Sequence, residues 1–183
     1  MDLGAPDLLQ RLARWVSEAS ADAAADARAR QRWLRQAADE DATFAGVLLD
    51  LAERRTPVVV HGRAGRRHRG TVVAVGADFV VVRATDGADA IVPFPGIASV
   101  RPEPGAPAPA GDRSPSIDVT FAEALAAVAE DRPRVLLVTT VDTDGVAGEL
   151  KSVGRDVVTL RLDGAHRPTT YVPIASIAEL RLA

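Results

Sequence analysis

Asp41-Ala-Thr-Phe-Ala45 and Asp118-Val-Thr-Phe-Ala122 open two stretches of this chain that then run in parallel. The matches continue at Leu48/Leu125, Ala52/Ala129, Glu53/Glu130 and Arg55/Arg132. They go on through Gly70/Gly148, Val75-Gly76/Val153-Gly154, Asp78/Asp156, Val80/Val158 and Arg83/Arg161. They close at Val92-Pro93/Val172-Pro173, Ile97-Ala98/Ile177-Ala178 and Arg101/Arg181. This spacing predicts one helix-then-strands unit used twice, over 41–101 and 118–183. Units that small bury only about 60% of the surface of their unfolded chains, so the two are expected to support each other or a partner.

Working outward, Thr43 and Thr120 stand before apolar runs at helical spacing, Phe44-Val47-Leu48-Leu51 and Phe121-Leu125-Val128. Thr120 with Glu123 fits a capping box, while Gly46 takes the glutamate's place in the first copy. Valine-, isoleucine- and threonine-rich runs punctuated by turn residues predict five strands per unit. They fall at 57–62, 67–75, 78–84, 90–94 and 97–101, then at 134–140, 145–153, 156–162, 169–174 and 177–182. Gly70 and Gly148, inside the second strands, suit a sharp bend. Upstream, residues 6–38 read as a helix with Leu8, Leu9, Leu12, Trp15 and Val16 on one stripe that resumes at Trp33 and Leu34. It forms an N-terminal helical segment over 1–40, outside the repeat. Residues 102–117 form a Pro/Ala-rich linker, expected to be extended and solvated.

One short helix followed by five bent strands, with Pro57-Val-Val-Val, Gly70, Phe79-Val-Val-Val and Ile97-Ala-Ser-Val100, resembles the Sm-like (LSm/Hfq-like) family. Ile177-Ala-Glu-Leu180 repeats the last of these. The whole layout also resembles an uncharacterised actinobacterial family. The fold implied is α+β, an N-terminal helix plus two tandem five-stranded Sm-like/SH3-like barrels, each preceded by a short helix. The resemblance also implies self-association through strand edges. It carries over no RNA-binding residue, because the loops that read bases in that family hold Phe94-Pro-Gly96 and Ile174-Ala-Ser176 here. Phe94 is the one aromatic candidate for stacking.

Composition narrows the function further. The chain has 183 residues, no cysteine and a net charge of −3. No disulfide framework or thiolate metal site is expected. No apolar run approaches the roughly 18 residues of a membrane span. The acidic N-terminus is unlike a signal peptide, so a cytoplasmic protein with no membrane partner is expected. The positive charge is almost all arginine, Lys151 being the single lysine, and asparagine is absent. Such a bias accompanies high-GC genomes and cautions against reading arginine as selected for phosphate.

The sharpest local feature is His61-Gly-Arg63-Ala-Gly-Arg66-Arg67-His68-Arg69, on the hairpin between the first two strands. Arg63, Arg66, Arg67, His68 and Arg69 are candidate contacts for nucleic acid or another anion. The bland alternative is a solvated hairpin, since the second copy has the acidic Val141-Asp-Thr-Asp144 there. Gly62-Arg-Ala-Gly-Arg-Arg lacks the Lys-Ser/Thr of a phosphate loop. Asp142 and Asp144 lack a calcium loop around them, and His61, His68 and His166 lack ligand spacing. No nucleophile, base and orienting group fall in register. No enzyme activity, cofactor, metal or small-molecule substrate is therefore expected. The function expected is a non-enzymatic interaction or assembly module with a protein partner or itself. The alternative is an RNA- or DNA-binding regulator using the hairpin Arg63–Arg69.

Overall fold

The computed structural model describes residues 5–114, 117–141 and 144–182. It divides into two compact units, residues 1–41 and 42–183. The first is one helix, α1 (Ala5–Asp41). Alanine-rich sequence favours this conformation. The helix is amphipathic, and Leu9, Leu12, Trp15, Val16, Trp33 and Leu34 are all exposed.

The second unit begins with α2 (Phe44–Glu53), which starts where Thr43 accepts the Gly46 N–H at 3.0 Å. Helix α3 (Phe121–Glu130) starts at a complete capping box: Thr120 accepts from Glu123, and the Glu123 carboxylate accepts the Thr120 N–H at 2.8 Å. That backbone hydrogen bond holds the Glu123 carboxyl below its ordinary range. Each helix drops leucines into the sheet beneath it: Leu48 and Leu51 from α2, Leu125 from α3. Arg55 and Arg132, just past the two helix ends, take left-handed backbone with φ of 50° and 48°. Glycine is the usual residue there.

The strands are β1 (Pro57–Gly62), β2 (Arg67–Val75), β3 (Phe79–Ala84), β4 (Asp89–Pro93), β5 (Ile97–Pro102), β6 (Arg134–Thr139), β7 (Val146–Val153), β8 (Val157–Leu162), β9 (Thr169–Pro173) and β10 (Ile177–Leu182). All lie within a residue or so of the positions expected from the turn signals. Gly70 is required by crowding, since a Cβ there would sit 1.9 Å from the Arg83 carbonyl oxygen.

The pairing differs from the expectation. The ten strands form one open antiparallel sheet in the order β5-β1-β2-β3-β4-β10-β6-β7-β8-β9. The two closed five-stranded Sm-like/SH3-like barrels implied by the family resemblance do not form, and an internal repeat of closed barrels is not the architecture. Instead β4 hydrogen-bonds β10, with Leu180 opposite Ile91 and Arg181 opposite Ala90. The physical reason lies in the strands themselves. Period-2 alternation specifies which face of a strand is buried, not which strand lies along its edge. Ala90, Ile91, Val92 and Pro93 are buried one after another, on both faces, as in an inner strand. The matching β9, Thr169-Thr-Tyr-Val-Pro, buries only Val172 and stands at a sheet edge. The cores merge accordingly. Phe79 and Ile91 pack in the cluster of Phe121, Leu125, Leu137 and Leu160, and the Phe79 and Phe121 rings lie 6.3 Å apart.

The Pro/Ala-rich segment is exposed over much of its length, but its C-terminal part is strapped to α2. Asp50, buried at 4% exposure on α2, accepts the N–H groups of Ala110 at 2.6 Å and Gly111 at 3.1 Å. Gly111 in turn accepts the Thr43 N–H at 2.9 Å, and Arg113 reaches the Glu53 carboxylate. Burial pushes the Asp50 carboxyl up, but the two backbone hydrogen bonds, with Arg54 and Arg113 nearby, outweigh it and hold it below 3.8. A carboxyl lowered by folding stabilises the protein above its unfolded value and ceases to do so as pH falls through its folded one. Asp50→Ala strands two backbone donors and is expected to cost about 2–3 kcal/mol in urea titrations at pH 7. The gap between variant and wild type should close below the ordinary carboxyl value of 3.8. A gap that persists unchanged there would show that the carboxylate is not the anchor.

Candidate functional site

The basic hairpin sits against the second half of the sheet. Its turn is closed by Gly62 N–H on the Arg66 carbonyl at 2.9 Å. At its tip Ala64 is buried among Val138 and Ala178. The Arg63 N–H donates to the Gly96 carbonyl at 2.8 Å. The one-turn helix Phe94–Gly96 itself lies so close to β10 that a Cβ on Gly96 would meet the Ala178 oxygen at 2.3 Å.

Beneath the hairpin lies a buried polar pair. His68 on β2 is 5% exposed and Glu179 on β10 is 2% exposed. Nε2 of His68 and Oε2 of Glu179 are 2.7 Å apart. Arg66 Nε stands 4.0 Å from the other carboxylate oxygen, Oε1. That is ion-pair distance but too long for a hydrogen bond. Both atoms are buried and neither has a hydrogen-bond partner. Arg66 also donates through Nη2 to the Asp144 carbonyl at 3.5 Å.

The five hairpin candidates therefore separate into three kinds. Arg66 and His68 turn inward to Glu179. Arg69 donates to Glu103 at 2.9 Å and lies on the surface. Arg63 and Arg67 are exposed and make no ion pair among the described residues. Residue types in the right pattern were thus brought together, but around an internal acid rather than an open groove. Glu179 is the residue that sequence reasoning missed. One signal was available: a carboxylate inside the apolar run Ile177-Ala-Glu-Leu180, where the parallel strand has Ser99. Ser99 is exposed and Glu179 buried.

The remaining candidates do not converge. Phe94 packs edge-on against Phe44, with ring centroids 5.4 Å apart. His166 is exposed in the β8–β9 loop and His61 is half-buried on β1. Asp142 lies outside the described residues. Among the described residues, no group of three His, Cys, Asp or Glu side chains could hold a metal ion. No helix there is long and apolar enough to cross a membrane.

Two further surfaces are uncovered. One is the apolar stripe of α1. The other is the pair of open edges, β5 and β9, each hydrogen-bonded to one neighbour only. The chain matches no protein-family model, no curated protein and no solved structure. The open sheet overturns the tandem-barrel Sm-like assignment, and with it the helix-plus-two-barrels layout on which the actinobacterial-family resemblance stood.

Removing one member of a buried hydrogen-bonded pair leaves the other unsatisfied, at about 1–3 kcal/mol, whereas replacing both by apolar groups is often nearly neutral. Glu179→Leu is expected to destabilise by that amount in chemical denaturation. His68→Leu/Glu179→Leu should recover much of the loss. Simple additivity of the two single variants would mean the pair is not coupled.

Proposed function

We propose that this protein is a non-enzymatic interaction and assembly module whose principal contact is α1 against α1 of a second copy. The observation that carries this reading is the exposed stripe. Trp15 and Trp33 are each 66% exposed, with Leu9, Leu12, Val16 and Leu34 beside them. Scattered exposed apolar residues are ordinary, but a contiguous apolar stripe on one helix marks an interaction surface.

Charge and side-chain size favour a second copy in antiparallel orientation. The large residues sit toward the two ends, with Ala19 and Ala23 between them, where small side chains let helices approach. Antiparallel packing sets the Leu12–Val16 cluster of one copy on the Trp33–Leu34 cluster of the other. The acidic last turn, Asp39-Glu40-Asp41, holds no basic residue and falls beside the first turn of the partner helix. Three acids at a helix C-terminus oppose the macrodipole, and the positive N-terminal end of a partner helix offsets that. The exposed β5 and β9 edges add a second route to assembly, since an unpaired edge is a template for another strand.

Sedimentation equilibrium of the full chain is expected to give a dimer or higher assembly. Trp15→Glu/Trp33→Glu should be monomeric while keeping the β-sheet circular dichroism. A wild-type monomer across the accessible concentration range would sink the reading.

A second reading, an RNA- or DNA-binding regulator, is favoured by Arg63 and Arg67, which point no ion pair inward and flank the hairpin turn. The net charge of −3 stands against it. On this reading, fluorescence anisotropy with a labelled mixed-sequence single-stranded RNA should show binding that weakens steeply with salt. Arg63→Ala/Arg67→Ala should abolish it. Absence of binding at low salt would dispose of the idea.

A further inference from the structure

A second cluster of arginines lies away from the basic hairpin, where β6, β7 and β8 meet the loop after β8. Arg132, Arg134, Arg161 and Arg167 line a pocket of about 160 Å³ together with Glu149 and Asp163. At about 30 Å³ per water, that is room for one tetrahedral oxyanion and a few waters.

Strand register assembles its floor. Arg134 on β6 lies opposite Glu149 on β7, and Glu149 lies opposite Arg161 on β8. Directly opposed residues share one face of a sheet, so the three side chains form a row. Each acid in the pocket is already engaged. Asp163 takes Arg134 at 2.8 Å, and Glu149 takes Lys151 at 3.5 Å. Arg132, Arg161 and Arg167 make no ion pair among the described residues, and the lining is left cationic.

The matching place in the first half is built differently. There a pocket of about 230 Å³ is lined by Arg69, Arg83 and Glu103. Its arginines are neutralised, Arg69 by Glu103 and Arg83 by a two-pronged pair with Asp89 at 2.8 Å. The corresponding strand arginines, Arg83 and Arg161, are therefore paired in one half and without an ion pair among the described residues in the other.

Backbone strain points to the same pocket. Three non-glycine residues among those described have φ in the left-handed region, and Arg132 and Arg167 both line it. Arg132 owes this to the end of α3, as Arg55 does to the end of α2. Arg167, with φ of 40°, ends no helix. It sits in the β8–β9 loop directly before Pro168, where a side chain with a Cβ is poorly accommodated. Strain held at a cluster of like charges is a mark of a binding site.

We propose that this pocket binds a phosphate-sized oxyanion, either free phosphate or the terminal phosphate of a small phosphorylated molecule. Arg161 and Arg167 supply the main charge-assisted hydrogen bonds, and guanidinium groups suit such geometry. The proposal does not rest on the assembly argued above.

The test titrates the full chain with inorganic phosphate and, separately, adenosine 5′-monophosphate, following amide chemical shifts at constant ionic strength held with chloride. Saturable shifts at Arg161 and Arg167 are expected from both probes if the phosphate group alone is read. A tighter monophosphate assigns the site to the phosphorylated molecule. Arg161→Ala should weaken binding about tenfold to a hundredfold, the range for one charge-assisted hydrogen bond. Arg167→Gly is the sharper variant. It relieves the strained backbone while removing the guanidinium, so thermal stability should hold or rise as binding falls. Arg83→Ala, in the other pocket, should leave binding unchanged. Shifts that never saturate, or affinity unaltered in Arg167→Gly, would overturn the proposal.

Discussion

The contact between β4 and β10 is the constraint on which the rest of this structure depends. It consists of a short ladder, Leu180 opposite Ile91 and Arg181 opposite Ala90. It turns ten strands into one sheet, and it makes β4 an inner strand and leaves β9 an edge. It merges the two hydrophobic cores by carrying Phe79 and Ile91 into the cluster under α3. Nothing in so short a ladder would hold two halves together by itself. The flanking contacts do that: Ala64 and Gly96 against β10, and the carboxylate of Glu179 under the hairpin.

Glu179 and His68 give this junction its specificity. Apolar packing between strands tolerates slippage, because one valine replaces another at little cost. A buried carboxyl group tolerates much less, since any register that separates it from its imidazole leaves a polar group unsatisfied away from water. The Arg66 guanidinium, within ion-pair reach of the second oxygen, adds to that selectivity. The hairpin that looks in sequence like a surface for phosphates is in large part the mate of an internal acid. The α1 stripe and the two sheet edges, by contrast, remain uncovered.

The local signals in the chain were accurate because they act over a few residues. Thr120 and Glu123 form their capping box whatever lies beyond them. Valine-rich runs bounded by Gly76-Ala-Asp78 and Gly154-Arg-Asp156 become strands because the turn chemistry and the alternation agree. The strap over α2 was not legible. Its composition speaks for a solvated segment, and Asp50, which ties it down, looks like any acid on a helix. The pocket of Arg132, Arg161 and Arg167 was equally hidden, because its members are spread over a helix end, a strand and a loop.

By itself, the amino-acid order determined the helices, the strands and their turns, and the absence of cysteine chemistry. Those depend on propensity, capping and periodicity, which are written locally. Only the tertiary structure decided that β4 would lie along β10 instead of closing a barrel, and that Glu179 would sit beside His68. Edge partnership joins Ile91 to Leu180, about ninety positions away, and the buried polar pair joins His68 to Glu179, more than a hundred away. No periodicity within either strand carries that information. The difference was present only as an asymmetry between parallel segments: Ala-Ile-Val against Thr-Tyr-Val in the fourth strands, and Ser99 against Glu179 in the fifth. Burial gave those few substitutions their meaning, since an apolar strand gains by being covered on both faces and an isolated acid does not.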